Sequence, residues 1–383
     1  MSLRKAVFWG SAGLLWYTQI GYPLALAALD ARRARRAPPS PPAPGEEPHV
    51  SLVVAAHREG DVIAGKVANA RALDWPQDRL ELIVACDGSP DDTPARAREA
   101  GADQVLELPR GGKVRAQDAA VRAADPRSEL IAFSDANAEW EPGALRELVA
   151  ALAEPGTGYA CGQVRFVAGD GSTNQEGLYW RYEMAVRASE SRLASVTAGN
   201  GAIYAVRRED YAEVDPVMGH DLSFPFAFVK RGRRAAYAPG ARATERMVPT
   251  TDGEIARKRR MMSHSWATVL RGGMLDPRGY PPLYAWMILS HRVLRYSAPA
   301  LHVACLASNA ALWRSGRSYR IVLVKQAALI AGALLGSRIG SRPLLILRYY
   351  AGTNLAVALG LWDHLRHGTE AGWSPPEGTR REP

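Results

Sequence analysis

Between His49 and Ala153 short apolar runs alternate with stretches of helical periodicity, and this alternation limits the possible folds more than any other feature of the chain. Four to eight apolar residues bounded by polar ones suit a strand buried on both faces. Val50–Ala56, Leu80–Ala85, Gln104–Leu108 and Leu130–Phe133 read as such strands. Asp61–Leu73, Thr93–Ala100, Val114–Ala124 and Pro142–Ala153 read as the helices that accompany them. Asp61 is expected to cap the first of these, and Pro142 suits a first helical turn. Such repetition predicts an α/β domain with a mostly parallel sheet covered on both sides. After Tyr159 the pattern is mixed: Gln175–Ala194 and Asp221–Lys230 read as helices, Ala202–Arg207 as a strand.

Open α/β sheets bind ligands beyond the carboxyl ends of their strands, and polar residues gather at those ends here. The run Leu130–Phe133 passes into Ser134-Asp135-Ala136-Asn137-Ala138-Glu139. In an extended chain alternate side chains share a face, so Asp135, Asn137 and Glu139 are expected to point the same way. Oxygen ligands suit Mg²⁺ or Mn²⁺, which in turn hold a diphosphate; a strand ending in a solvated turn would leave the same pattern. His57-Arg58-Glu59 follows the first strand, and Asp87-Gly88-Ser89 the second. Carboxylates there suit a nucleobase N–H and ribose hydroxyls, while a Gly/Pro turn with an Asp cap reads alike. Arg110-Gly111-Gly112-Lys113 is a basic turn opening a helix, suited to anionic groups. It is not a Walker loop, because Glu107 and Val114 stand where that pattern needs Gly and Ser or Thr. Gly199-Asn200-Gly201 does not complete a dinucleotide fingerprint, since Tyr204 takes the third glycine's place. Gly219-His220-Asp221 opens another helix, and a basic run, Arg257-Lys258-Arg259-Arg260-Met261, follows.

The net charge of +9 raises the question of an anionic partner. With no zinc-ligand spacing and no helix-turn-helix pattern, nucleic acid is not expected. The arginines cluster beside apolar segments, which favours a membrane surface. Ala6–Leu29 carries no charged residue, and about 20 apolar residues suffice for a helix to cross a bilayer. Arg4 and Lys5 precede it and Arg32, Arg33, Arg35 and Arg36 follow, so the heavier positive flank should stay cytoplasmic. The segment is too long for a cleaved signal peptide, despite Ala25-Leu26-Ala27. Six prolines between Pro38 and Pro48 make a semi-rigid tether. Leu283–Tyr296 reads as an interfacial helix, and about Ala298–Trp313, Ile321–Ser337 and Leu344–Trp362 as three spans. Cys86, Cys161 and Cys305 are too widely spaced for a disulfide framework or metal knuckle, and reduced thiols are expected.

Taken in order, these clusters resemble the family 2 inverting glycosyltransferases. Most of all they are similar to the membrane-bound branch that includes cellulose, hyaluronan and poly-N-acetylglucosamine synthases. Asp87-Gly88-Ser89 looks like the second half of the family's D-D-G-S element, with Cys86 for the first Asp. Gly112-Lys113-Val114-Arg115-Ala116-Gln117-Asp118 resembles its G-K-x-x-A-x-N segment, and Asp135-Ala136-Asn137 its metal-binding D-x-D. Gly199–Ala202 with Arg207-Arg208 looks like its acceptor-side loop, and His220-Asp221 its E-D pair. Arg257-x-x-Arg260-Met261 lies where processive members carry Q-x-x-R-W.

The resemblance implies a GT-A-like nucleotide-sugar-binding domain, residues 49–279, flanked by transmembrane helices at both ends. An anchor (1–37) and proline linker (38–48) would precede it. Interfacial and transmembrane helices (280–365) and a polar tail (366–383) would follow. It further implies an inner-membrane enzyme with a cytoplasmic catalytic domain, moving sugar from a nucleotide-sugar, uridine-linked, to a hydroxyl of a polysaccharide or lipid-linked glycan. Asp221 would be the catalytic base. His57, Glu59, Asp87, Lys113 and Asp135 would bind the donor nucleotide. Gly201, Arg257 and Arg260 would serve the diphosphate and acceptor, and Asp135 with Asn137 would hold Mg²⁺ or Mn²⁺. Membrane lipid and export proteins are the implied partners. Two other functions are weighed: a polyprenyl-phosphate sugar synthase of the same fold, whose phosphate acceptor needs no strong base, and a non-catalytic membrane scaffold, which the departures at Cys86, Asn137 and His220 allow.

Overall fold

The computed structural model describes residues 2–33, 40–43, 45–167, 178–246, 251–339 and 341–372. The strands are β1 (Val50–Ala56), β2 (Leu80–Asp87), β3 (Gln104–Leu108), β4 (Leu130–Asp135), β5 (Glu139–Trp140), β6 (Thr157–Val167), β7 (Ile203–Arg207) and β8 (Arg234–Arg246). They form one sheet in the order β3-β2-β1-β4-β7-β6-β8-β5. From β3 to β4 neighbours run parallel; β7 is antiparallel to both β4 and β6, β8 is parallel to β6, and β5 is antiparallel to β8.

Every residue of β1 is buried, which explains why it reads as a continuous apolar run rather than an alternating one. Its side chains divide between the faces. Leu52, Val54 and Ala56 join a core with the helices Gly60–Arg71 and Ala144–Ala153. Val53 and Ala55 join a second core beneath Lys113–Ala123 and His220–Lys230. In that second core Phe133 stacks on Tyr204, with centroids 4.7 Å apart. The chain winds outward from β1 through β2 to β3, then returns to place β4 on the other side of β1. That reversal opens a crevice at the carboxyl ends of β1 and β4, as in other doubly wound sheets.

Boundaries differ from expectation in instructive places. Asp61 does not cap its helix; the helix begins at Gly60, leaving Asp61 inside the first turn. The helix after Pro142 begins at Ala144. The alternation assumed for Asp135, Asn137 and Glu139 is broken by a turn, closed by the Ala138 N–H donating to the Asp135 carbonyl at 3.2 Å. Glu139 then pairs with Thr244 of β8 and is exposed. β6 and β8, parallel neighbours that mix polar and apolar residues, have no counterpart in the sequence reading, nor does the helix Thr251–Arg271. Residues 175–177 of the helix expected at Gln175–Ala194, part of the proline tether and the tail beyond 372 lie outside the described residues.

The N-terminal segment is helical from Leu3 to Trp16 and from Tyr22 to Ala31, with a π-helical turn at Tyr17–Gly21 between. Among the described residues two helices are long and apolar enough to cross a membrane, Arg317–Leu335 and Pro343–His367. The third expected span is the 14-residue helix Ala298–Ala311, about 21 Å long and short of the ~30 Å hydrocarbon core. Leu283–Tyr296, read as interfacial, is folded into the protein instead. It is divided into Pro282–Met287, a π-helical Ile288–Val293 and Leu294–Tyr296. Its Tyr284, Met287 and Ile288 share a core with Tyr22, Leu26 and Trp266. His291 and Arg295 pair with Glu190 and Glu183 of the helix Leu178–Leu193. Phe133→Ala should lower stability by about 3–5 kcal/mol, because it empties a fully buried aromatic site; a thermal-unfolding midpoint close to that of the parent protein would contradict this packing.

Candidate active site

The site is built from four strand ends and the turn before one helix. At the end of β1, Arg58 adopts a left-handed conformation with φ 55°, which separates His57 and Glu59 and lets both bury. The His57 Nδ1–H donates to the Asp87 carbonyl at 2.9 Å, tying the ends of β1 and β2 together. Burial holds the His57 imidazole below its ordinary range, against the pull of that carbonyl. The Glu59 N–H donates to Thr93 Oγ1 at 2.9 Å.

Asp87 is 1% exposed, and its oxygens are engaged by the turn that follows β3. Oδ1 accepts from the N–H groups of Gly111 (2.6 Å) and Gly112 (3.0 Å). Oδ2 accepts from Gly112 N–H and the Arg110 guanidinium, each at 3.0 Å. Asp87, the last residue of β2, thus supports the Arg110–Gly112 turn. Gly112 has φ 98°, accessible to glycine, and a β-carbon there would overlap the Ala371 carbonyl.

The next residue, Lys113, points its ammonium at Asp135, with which it forms an ion pair. Burial disfavours the ammonium, but Asp135 and then Asp221 and Glu245 more than offset this and raise Lys113 above the ordinary lysine range. Lys113 Nζ and Asp221 Cγ lie 3.7 and 3.9 Å from the point a β-carbon on Gly201 would occupy. Lys113, Asp135, Gly201 and Asp221 thus converge, and the missing side chain at Gly201 keeps space between the first and the last. The Asp221 carbonyl accepts from Gly199 N–H at 2.6 Å, which fixes the Gly199–Ala202 loop to the start of the helix His220–Lys230.

His220 is 3% exposed and stacks on Phe224 with centroids 4.0 Å apart. Gln117 donates to the Tyr204 hydroxyl (3.2 Å), and that hydroxyl lies 2.8 Å from His220 Nδ1. Tyr204 and His220 thus share one hydrogen bond, and His220 Nε2 has no hydrogen-bond partner among the described residues. Burial, with Lys113 nearby, pushes His220 down to about 3.

Asp135 and Asn137 fit a hard divalent cation as a partial ligand set. One carboxylate and one amide oxygen stand on a turn at a strand end, Asp135 is 31% exposed, and the Asn137 carboxamide makes no hydrogen bond among the described residues. Mg²⁺-like ions are commonly held by one or two carboxylates with substrate phosphates and water completing the shell. No group of three or more His, Cys, Asp or Glu side chains gathers as a metal site among the described residues.

Arg257 and Arg260 lie on the helix Thr251–Arg271. Arg257 pairs with Glu254 at 2.8 Å, and Glu245 helps hold it above the ordinary arginine range against burial. Arg260 lines a groove with Ser263, His264, Asp363 and the segment Gly368–Gly372. That segment is fastened by Thr369, whose hydroxyl lies 2.8 Å from Ser263 Oγ, and Ala371 reaches the Gly112 turn. Neither the Arg110 contact to Asp87 nor the tail contact was visible in the sequence, because both join residues distant along the chain.

His220 yields a prediction about pH. Its folded pKa lies below the unfolded value near 6.5, so as pH falls the unfolded chain takes up the proton first. Stability from this group is intact above about 6.5 and is lost at about 1.4 kcal/mol per pH unit on the way toward 3. The gap in thermal midpoint between the parent and His220→Gln should therefore shift in favour of the variant between pH 7 and 4; a constant gap would show that the imidazole is not held neutral.

Residues 51–214 match the family model described as glycosyl transferase family 2. Among solved structures, the chain is similar to a mannosyltransferase from Pyrobaculum calidifontis, crystallised with GDP-Man and Mn²⁺. The two share 23% identity and a TM-score of 0.73, over 95% of this chain and 99% of that one. A glucosyl-3-phosphoglycerate synthase from Mycobacterium tuberculosis, crystallised with Mn²⁺, UDP and phosphoglyceric acid, is 22% identical over 64% of this chain and 81% of its own, with a TM-score of 0.41. No curated protein matches the sequence significantly. With its GT-A-like α/β sheet and the match of residues 51–214 to the glycosyl transferase family 2 model, the chain is a glycosyltransferase.

Proposed function

We propose that the protein transfers a sugar, with inversion, from a nucleotide-sugar to a hydroxyl of a glycan or lipid-linked acceptor at a membrane face. The observation that carries this reading is the convergence of Lys113, Asp135 and Asp221 around the open position at Gly201. The donor lies along the carboxyl ends of β1, β2 and β4. The Arg110–Gly112 turn, supported by Asp87 and flanked by His57 and Glu59, receives its nucleoside and phosphates. Asp135 and Asn137 hold Mg²⁺ or Mn²⁺, which when bound supplies Lewis-acid stabilisation of the charge that grows on the departing diphosphate. Lys113 adds a positive group to the same charge, and Arg257 and Arg260 extend the basic surface toward the tail.

Asp221 acts as the base. It takes the proton of the acceptor hydroxyl while that oxygen attacks the anomeric carbon from the face opposite the diphosphate, so the configuration inverts. Gly201 leaves room for the acceptor to approach. His220, neutral and buried, does not compete for this role. The helices at both ends, whose exposed residues include Trp9, Leu24, Val324, Leu334 and Ile346, support a reaction at a bilayer, and in this reading the catalytic domain lies on the cytoplasmic side.

A Asp221→Asn variant should retain nucleotide binding and lose about 10²–10⁴-fold in turnover; labelled nucleotide-sugars incubated with membranes carrying either form provide the assay, and unchanged turnover would remove the base from Asp221. Calorimetric binding of UDP should require Mn²⁺ or Mg²⁺ and vanish with EDTA. Binding of equal strength in EDTA would refute a metal-held diphosphate.

A further inference from the structure

The helix Gly60–Arg71 turns Ile63, Lys66, Val67 and Ala70 toward the core, so a lysine stands at a position that packing alone would fill with an apolar residue. Lys66 is 2% exposed. A buried ammonium is tolerated only where it is paired or hydrogen-bonded, and its contacts here all lead to one segment. Nζ donates to the Ala138 carbonyl at 2.7 Å, lies 3.3 Å from Asn69 Oδ1, and sits 5.2 Å from the centre of the Trp140 ring. Asn69, three residues along the same helix, holds both main-chain groups of Trp140: Oδ1 accepts its N–H at 3.0 Å and Nδ2 donates to its carbonyl at 2.9 Å. Two polar side chains from one buried helix face thereby grip residues 138 and 140.

Those residues adjoin the Asp135–Asn137 turn. Ala138 closes it through its N–H on the Asp135 carbonyl, while its own carbonyl accepts from Lys66. On the far side the Trp140 indole N–H donates to the Ala202 carbonyl at 3.0 Å, so the same clamp meets the loop that contains Gly201. Burial pulls Lys66 down to about 7, against Asp135, Glu139 and Glu245, whose charges favour the ammonium.

We propose that Lys66, with Asn69, is a positioning residue for the Asp135–Asn137 turn, holding Ala138 so that the Asp135 and Asn137 oxygens stay directed at one cation. The inference rests on the reading of that turn as the cation site and adds the device that shapes it. Lys66 touches neither substrate nor cation.

The test uses the full-length protein in detergent. Uptake of Mn²⁺ in the presence of UDP is followed by loss of the free-ion electron paramagnetic resonance signal, alongside thermal midpoints and the dependence of turnover on Mn²⁺. Lys66→Met keeps length and apolar bulk and removes the donor. It should weaken Mn²⁺ uptake tenfold or more and raise the KM for Mn²⁺ likewise, with kcat at saturating Mn²⁺ lowered less than threefold. Wild-type Mn²⁺ affinity in a folded Lys66→Met protein overturns the inference, whether or not the midpoint falls. Should that variant fail to fold, Asn69→Ala decides: weakened uptake sustains the clamp, and unchanged uptake overturns it. If the parent protein itself takes up no Mn²⁺ with UDP, the functional reading fails and this inference falls with it, which is a different result from equal binding by parent and variant.

Discussion

Asp87 has almost no contact with solvent, so its carboxylate must find donors within the protein. It finds them in the main chain of Gly111 and Gly112 and in Arg110. This is the constraint on which the site depends. Because the two glycine N–H groups are drawn onto Asp87, the helix that follows must start at Lys113, and its ammonium must meet Asp135. A strand end, a turn and a second strand end are thereby locked in one arrangement before any substrate arrives. Preorganisation of this kind lets charged groups act on a developing charge without reorganising at the moment of reaction.

The Asp135–Asn137 turn is under similar control from the opposite side of the sheet. Lys66 and Asn69 reach it from the helix after β1, and Trp140 ties it to the Gly201 loop. The segment leading into the Gly199–Ala202 loop is anchored in turn to the C-terminal region: the Tyr284 hydroxyl donates to the Val196 carbonyl, and Arg292 donates to Thr197 Oγ1. Glu190 accepts from both Tyr22 and Thr197, joining the N-terminal helix to the same loop. The apolar helices are therefore not simple appendages; their inner faces are part of what holds the loop beside Asp221.

Much of this architecture was legible in the sequence because its causes are local. Val50–Ala56 and Leu80–Ala85 are buried on both faces and read as apolar runs broken only by Ser51 and Glu81. The glycine turn before Lys113 and the acid at the end of β4 announce themselves by composition. What stayed hidden depends on pairing over long distances. β6 and β8 lie in the half of the sheet where polar and apolar residues mix. The engagement of Asp87 joins residues more than twenty positions apart. The pairing of Arg295, within the stretch read as interfacial, stayed hidden because its partner Glu183 lies more than a hundred positions away. The alternation expected through Asp135, Asn137 and Glu139 failed because a turn interrupts the extended chain, and only its hydrogen bond reveals that.

The segment after the last helix carries a consequence of its own. Pro343–His367 packs along Thr251–Arg271, with Gly360 set against Met262, and its continuation brings Ala371 against the Gly112 turn. An α-helix advances 1.5 Å and rotates about 100° with each residue. Adding or deleting a single residue between Gly360 and His367 would swing Thr369 away from Ser263 and carry Ala371 off the turn. Helix length and turn shape can thus drift only as a matched pair, like two gears cut to the same pitch.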